Sequence, residues 1–206
     1  MSSSNTPLLY TVGTPNGHKA SILLEELKDA YGFQYDFQKI NFLHYDKERK
    51  FSYDPVQDPD LYSEQLQWIF FTHGGIGPMQ GQANHFYRYA PEKIPYGINR
   101  YINETKRLYS VLNDRLTDRD YLVGPGKGKY GLADINSFPW VSTWRWAGVD
   151  SLEAFPNVEA WLKRISDRPQ VKSGLDVPEP QGPPLTKEEE EEAAEGARKW
   201  ILQPQK

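Results

Sequence analysis

The sequence predicts a mostly helical α+β protein in which a small βαβ unit precedes an all-helical body. Three observations support this fold class. An apolar run at residues 8–12 (LLYTV) is followed by the turn residues GTPNG, which is typical of a short buried strand. Apolar residues then recur at helical spacing up to residue 31 and alternate with polar residues over 33–38. From residue 60 onward the spacing of apolar residues is helical.

The first unit is predicted element by element from these patterns. One helical face carries Ala20, Leu23, Leu24, Leu27 and Tyr31. Gly32 is expected to end that helix, and a second strand follows over residues 33–40. The two strands are expected to be parallel, with a right-handed crossover through the helix.

The second unit is predicted to contain five helices, over residues 60–73, 79–89, 95–116, 132–146 and 156–167. The segment GGIGP (74–78) is expected to interrupt or kink the first pair, because proline lacks an amide donor. The glycine-rich residues 121–129 are expected to form a loop. The predicted core consists of Trp68, Phe71, Ile98, Leu108, Leu112, Ile135, Trp140, Trp161 and Ile165.

The predicted domain boundaries are 1–44 for the truncated N-terminal domain, 45–59 for a linker, 60–177 for the helical domain and 178–206 for the tail. The tail combines a proline-rich linker with an acidic helix, which a Thr186–Glu189 capping box would open. Asp134 is expected to reach back to the amide of Gly131 in the same way at the start of another helix.

Composition excludes several classes of function. The 206 residues include no cysteine, which excludes disulfides, cysteine nucleophiles and thiolate metal sites. The four histidines show no HxH or HExxH spacing, so no metal is expected. A net charge of −4 gives no basic footprint for nucleic acid. The apolar runs are too short for a membrane span, and the first residues lack a signal-peptide pattern, so a cytoplasmic location is expected.

The segment Thr14-Pro15-Asn16 stands between the first strand and the first helix, where chemistry is expected. A helix N-terminus presents free N–H groups and the positive end of the helix dipole, which suit an anion. Donors directed at a sulfur from such a position lower the pKa of a thiol. The alternative is structural, because asparagine is also a favoured helix-capping residue. The residues alone leave both interpretations open.

Four stretches of the sequence resemble the glutathione S-transferase family, in particular its fungal branch related to the yeast nitrogen regulator with a prion domain and the bacterial nu class. The stretches are LYTVGTPNGHKASILLEEL (9–27), YDKERKFSYDP (45–55), QLQWIFFTHGGIGPMQGQANHF (65–86), and YGLADINSFPWV to FPNVEAWLKRISDRP (130–169). The resemblance implies a thioredoxin-like domain before an all-helical domain, a homodimer, and glutathione as co-substrate.

The resemblance also implies roles for individual residues. Thr14 and Asn16 would meet the glutathione sulfur, with Asn16 stabilising the thiolate. In the 65–86 stretch we expect Gln80, Asn84 and His85 to contact the substrate. Gly131 stands where the family usually has a serine or threonine, so that helix cap is expected to be weaker.

The sequence departs from the family between residues 39 and 60. No Val-Pro or Ile-Pro pair and no Glu-Ser pair occurs there, and about 40 residues of strands and helices are missing. These parts would hold the cysteinyl backbone and the γ-glutamyl end of glutathione. Two functions are expected. The first is a transferase or isomerase that uses glutathione on a small hydrophobic electrophile, as a tailoring step in fungal secondary metabolism. The second is a non-catalytic binding or regulatory protein.

Overall fold

The computed structural model describes residues 6–11, 15–39, 46–178, 180, 182 and 185–202. The chain divides into two compact units, residues 1–50 and residues 51–206. Residues 51–59, which the sequence predicts as part of the linker, belong to the second unit. The Phe51 carbonyl accepts the Leu132 amide there, and Tyr53 is buried in the core of that unit.

The first unit is the predicted βαβ arrangement. Strand β1 (Leu8–Thr11) and strand β2 (Asp36–Lys39) are parallel, with Leu8 opposite Asp36, and helix α1 (Pro15–Tyr31) connects them. Gly32 ends α1 with a positive φ of 67°, as expected. The second strand begins three residues later than predicted, because residues 33–35 do not join the ladder.

The second unit is helical, with elements α2 (Pro59–Phe71), α3 (Gly77–Asn84), α4 (Pro95–Arg115), α5 (Leu132–Ser142), α6 (Pro156–Ser166), α7 (Pro169–Leu175) and α8 (Lys187–Ile201). Two π-helical turns, Thr72–Ile76 and His85–Tyr89, flank α3. A short 3₁₀ turn, Trp144–Ala147, follows α5. The mostly helical class with one small sheet is therefore confirmed.

Of the two alternatives predicted for residues 74–78, the interruption is wrong, because the chain stays helical from α2 through α3, and the kink stays a prediction. The π turn Thr72–Ile76 adds a residue to the turn and shifts the hydrogen-bond ladder. Pro78 is the second residue of α3, directly after this π turn.

The core lies between α4, α5 and α6. Leu108, Leu112, Trp161 and Ile165 are buried as predicted. Trp68 and Phe71 are partly buried against them, and Ile98 is half-buried.

The prediction that Ile135 and Trp140 belong to the core is wrong. Ile135 is 40% exposed and Trp140 is 37% exposed. The physical reason is that α5 is apolar on more than one side and turns Ala133, Phe138 and Val141 inward instead.

The tail is attached to the helical body through α8. The Thr186–Glu189 capping box is confirmed in both directions: the Thr186 amide donates to Glu189 Oε2 at 2.7 Å, and the Glu189 amide donates to Thr186 Oγ1 at 3.2 Å. Ala194 is fully buried. The sequence predicts the tail as a separate segment, and in the structure α8 lies against the π turn His85–Tyr89.

Candidate functional site

The first candidate site lies where β1 is followed by α1. Helix α1 begins at Pro15, so the backbone of Asn16 is in the first turn of the helix, at its second residue and two positions after the capping position. Thr14 and the side chain of Asn16 lie outside the described residues. The free amides of the first turn of α1 lie at the carboxyl end of the strand, where ligands bind in α/β units.

The second candidate site is the helix that carries Gln80, Asn84 and His85. Gln80 is fully buried, and its amide nitrogen donates to the Trp140 carbonyl at 2.6 Å and to Thr143 Oγ1 at 3.1 Å. The Tyr109 hydroxyl donates to Gln80 Oε1 at 2.7 Å. Burial raises the pKa of Tyr109, so the hydroxyl stays protonated and remains a donor.

This network uses both amide hydrogens of Gln80 and its carbonyl oxygen. It joins α3 to α4 and to the end of α5, which is a packing role. The predicted contact between Gln80 and a substrate therefore stays a prediction.

Asn84 and His85 lie one turn further along the same helix. Asn84 is half-buried, and its Oδ1 is buried without a hydrogen-bond partner among the described residues. His85 is half-buried, with its ring edge-on to the Phe86 ring at 5.3 Å between centroids. Gln80 and Asn84 are four residues apart and share a helix face. The structure thus brings the three predicted residues onto one short segment, of which Asn84 keeps an unused acceptor.

An apolar cavity of about 590 Å³ was missed by sequence reasoning. It lies between the start of α5 and α7, and its walls include Phe51, Tyr130, Ile135 and Val171. The Arg168 guanidinium lies over the Tyr130 ring at 3.9 Å from its centroid. No local pattern could have indicated this cavity, because its walls come from three separate parts of the sequence, residue 51, residues 130–139 and residues 168–175.

Neither a metal site nor a membrane span is found among the described residues. These residues contain no group of three or more His, Cys, Asp or Glu side chains arranged to hold a metal ion. No helix in the described part of the chain has the length and apolar character needed to cross a bilayer.

A family match and two relatives connect this chain to known proteins. The family "Glutathione S-transferase, C-terminal domain" matches residues 101–169. The Escherichia coli protein "Disulfide-bond oxidoreductase YfcG" is 35% identical over 204 residues, which covers 81% of this chain and 93% of that protein. "Glutathione S-transferase 2" of Schizosaccharomyces pombe is 35% identical and covers 77% of this chain and 73% of its own length.

A solved structure agrees with these relatives. The chain is similar to a glutathione transferase homologue from Lodderomyces elongisporus, solved with two GSH per subunit, with a TM-score of 0.60 and 32% identity. The match covers 84% of this chain and 99% of that one. In the bacterial alignment, 204 residues correspond to only 81% of the 206 residues here, so the relative has residues with no counterpart in this chain.

Proposed function

Because the chain belongs to the glutathione S-transferase superfamily, we propose that it is a glutathione-dependent enzyme that acts on a small hydrophobic electrophile. The reaction is either conjugation to glutathione or a glutathione-assisted isomerisation. A tailoring step in fungal secondary metabolism is the setting we propose for it.

The observation that carries this proposal is the start of α1 directly after β1. A glutathione sulfur at this strand end would meet the first free amides of α1 and the positive end of its dipole. Both favour the thiolate, which is the nucleophile, over the thiol. We assign Asn16 as the thiolate stabiliser and Thr14 as a second donor. We further propose that Asn84 and His85, with Gln80 behind them, contact the electrophile.

The test is the substitution Asn16→Asp, assayed with glutathione and 1-chloro-2,4-dinitrobenzene. Aspartate is also favourable near the start of a helix, so the fold should be kept. Its negative charge, however, would repel a thiolate. We expect the variant to keep its thermal midpoint and to lose its activity. Equal turnover by the variant and the parent would mean that Asn16 only supports the helix.

A second function is favoured by one specific observation. Residues 39–60 lack the Val-Pro or Ile-Pro pair and the Glu-Ser pair expected of a glutathione site. Two lost charge-assisted hydrogen bonds, at about 1.5–3 kcal/mol each, would weaken glutathione binding by roughly two orders of magnitude or more. A non-catalytic binding or regulatory protein would fit such a site.

Calorimetry separates the two functions. Titration of this chain with glutathione should give weak binding, and turnover despite that weakness would favour the enzyme. A micromolar dissociation constant would mean that the missing anchor has been replaced by other residues. A homodimer, which the family resemblance implies, and a cytoplasmic location complete the proposal.

A further inference from the structure

Arg88 lies in an unusual environment within the π turn His85–Tyr89. The residue is only 9% exposed, and its guanidinium carbon lies 4.6 Å from the Trp146 ring centroid and 5.1 Å from that of Tyr87. Its Nε donates to the Trp146 carbonyl at 3.2 Å. Gly148, at a φ of 79°, permits the close approach of the Tyr87 ring, because a Cβ there would lie 2.9 Å from it. The guanidinium therefore lies over two aromatic rings, and its Nη2 edge meets an anion.

That edge is occupied by a carboxylate from the tail. Arg88 Nη2 donates to Glu190 Oε2 at 2.9 Å, and the two side chains are 10% and 18% exposed. The partners are 102 residues apart in the sequence. A charge pair this far from solvent is screened weakly, and removing one partner would leave the other charge buried without compensation.

The rest of α8 has further contacts with the body. Arg198 Nη2 donates to the Arg88 carbonyl at 2.9 Å, and Ala194 is fully buried. The Nε of Arg198, however, is buried without a hydrogen-bond partner among the described residues, which opposes docking. Most of the acidic side chains of the helix are exposed to solvent. The Arg88–Glu190 ion pair thus acts together with the Arg198 hydrogen bond to attach α8 to the π turn.

We propose that Arg88, Tyr87 and Trp146 form a binding site for a carboxylate attached to an apolar or aromatic group, and that α8 is a displaceable strap whose Glu190 occupies this site. Guanidinium recognises carboxylate through its planar fork, and the two rings provide apolar walls for the attached group. The proposal goes beyond the glutathione chemistry above and does not depend on it.

The tether explains why an internal carboxylate can occupy the site and still be displaced. Residues 176–186 join α7 to α8 in the sequence, and a tether of this length raises the effective concentration of Glu190 at Arg88 above that of a free carboxylate. A free ligand must compete with that concentration. Weakening Glu190 should therefore both loosen α8 and tighten the binding of an added carboxylate.

The first experiment is amide hydrogen exchange on the full chain with Glu190→Gln. Glutamine has the same shape and removes only the charge, so Arg88 loses its counter-ion. We expect exchange across residues 190–198 to become at least about tenfold faster, with α4 and α6 unchanged. The matched control is Glu195→Gln on the same helix, whose partner Lys199 is exposed. It should leave exchange unchanged, and equal behaviour of the two variants would overturn the strap.

The second experiment titrates the parent and Glu190→Gln with 3-phenylpropionate, and with 3-phenylpropanamide as the uncharged probe. We expect the carboxylate to bind Glu190→Gln at least about tenfold more tightly than it binds the parent, and the amide to bind neither. Arg88→Met, checked for its fold by circular dichroism, should abolish binding. If Glu190→Gln binds the carboxylate no better than the parent does, or binds the amide equally well, the site does not exist as proposed. The comparison of the parent with Glu190→Gln needs no Arg88 variant. It therefore tests the proposed site even if Arg88→Met fails to fold.

Discussion

Helices α5 and α8 begin with the same local arrangement in very different surroundings. In each, the acid at the third helical position accepts the amide of the residue before the helix: Gly131 to Asp134 at 3.1 Å, and Thr186 to Glu189 at 2.7 Å. Asp134 is fully buried, whereas Glu189 is exposed. The comparison teaches that one sequence signature can either organise a core or merely begin a surface helix.

Asp134 does more because it has further partners. Its Oδ1 accepts the Leu122 amide at 3.1 Å and the Trp161 indole N–H at 2.9 Å. One carboxylate therefore ties a loop and α6 to the start of α5. The pKa values of the two acids are also shifted in opposite directions. Burial raises the pKa of Asp134 against the effect of its donors, and the Thr186 amide lowers the pKa of Glu189.

The capping residues differ as well. Thr186 supplies a hydroxyl that accepts the amide of the third helical residue, whereas Gly131 has no side chain to offer. At α5 the Phe51 carbonyl accepts the Leu132 amide at 2.8 Å. A Cβ on Gly131 would lie 2.7 Å from that carbonyl oxygen. Glycine is required here because another segment of backbone contributes to the cap.

The largest effect is expected for Asp134→Ala. It leaves three buried donors without an acceptor, each costing about 1–3 kcal/mol, so we expect roughly 3 kcal/mol or more to be lost from the free energy of unfolding. Denaturant titration measures this loss. Glu189→Ala is the matched control and should change the midpoint very little, because its partners reach water. Similar losses in the two variants would mean that burial does not distinguish the two helix starts.

Local sequence patterns predict the two helix starts but not the long-range contacts that distinguish them. Both acidic helix starts, and the helices around them, follow from residues within a few positions of one another. The long-range contacts do not, because Phe51 reaches Leu132 and Glu190 reaches Arg88 only after the chain has folded. The exposure of Ile135 has the same origin, since periodicity cannot decide which side of an apolar helix faces the core.

The candidate site likewise has features that local sequence predicts and features that depend on distant residues. Thr14-Pro15-Asn16 could be singled out because strand, turn and helix are adjacent in the sequence. The internal network of Gln80 depends on Trp140 and Thr143, 60 or more residues away, and no spacing rule predicts it. The π turns on either side of α3 were also unpredictable, because a shift of one residue in the ladder leaves the apolar pattern nearly unchanged.

The second prediction concerns Gly131→Ser, which introduces the cap residue usual in the family. The structure predicts destabilisation by about 1–3 kcal/mol, because the new Cβ would collide with the Phe51 carbonyl. Gly131→Ala is the control, since it adds the same carbon without a hydroxyl. Denaturant unfolding should show losses in both variants. A stabilised serine variant beside a destabilised alanine variant would show that the missing hydroxyl matters more than the crowding.

The third prediction is Thr186→Ala, which removes the cap hydroxyl of α8. We expect a loss of about 1 kcal/mol in the local stability of α8, with no change in the unfolding midpoint of the body. Hydrogen exchange over residues 188–194 measures it, and Thr186→Ser should behave like the parent. A lowered global midpoint would show that the start of α8 is coupled to the core as strongly as that of α5.

The smallest expected effect is a pH dependence of opposite sign at the two helix starts. The lowered pKa of Glu189 means that its contribution to α8 is present above the unfolded pKa and is lost as the pH falls through the folded value. The raised pKa of Asp134 means that its ionisation weakens the fold, so its contribution is largest at acid pH and declines as the pH rises through the folded value. Glu189→Gln keeps an acceptor at the third helical position but cannot titrate. Hydrogen exchange of α8, corrected for intrinsic rates, should therefore accelerate more on acidification in the parent than in Glu189→Gln, while α5 shows no such acceleration. Identical acid profiles for the parent and Glu189→Gln would mean that the charge of Glu189 adds nothing to the hydrogen bond.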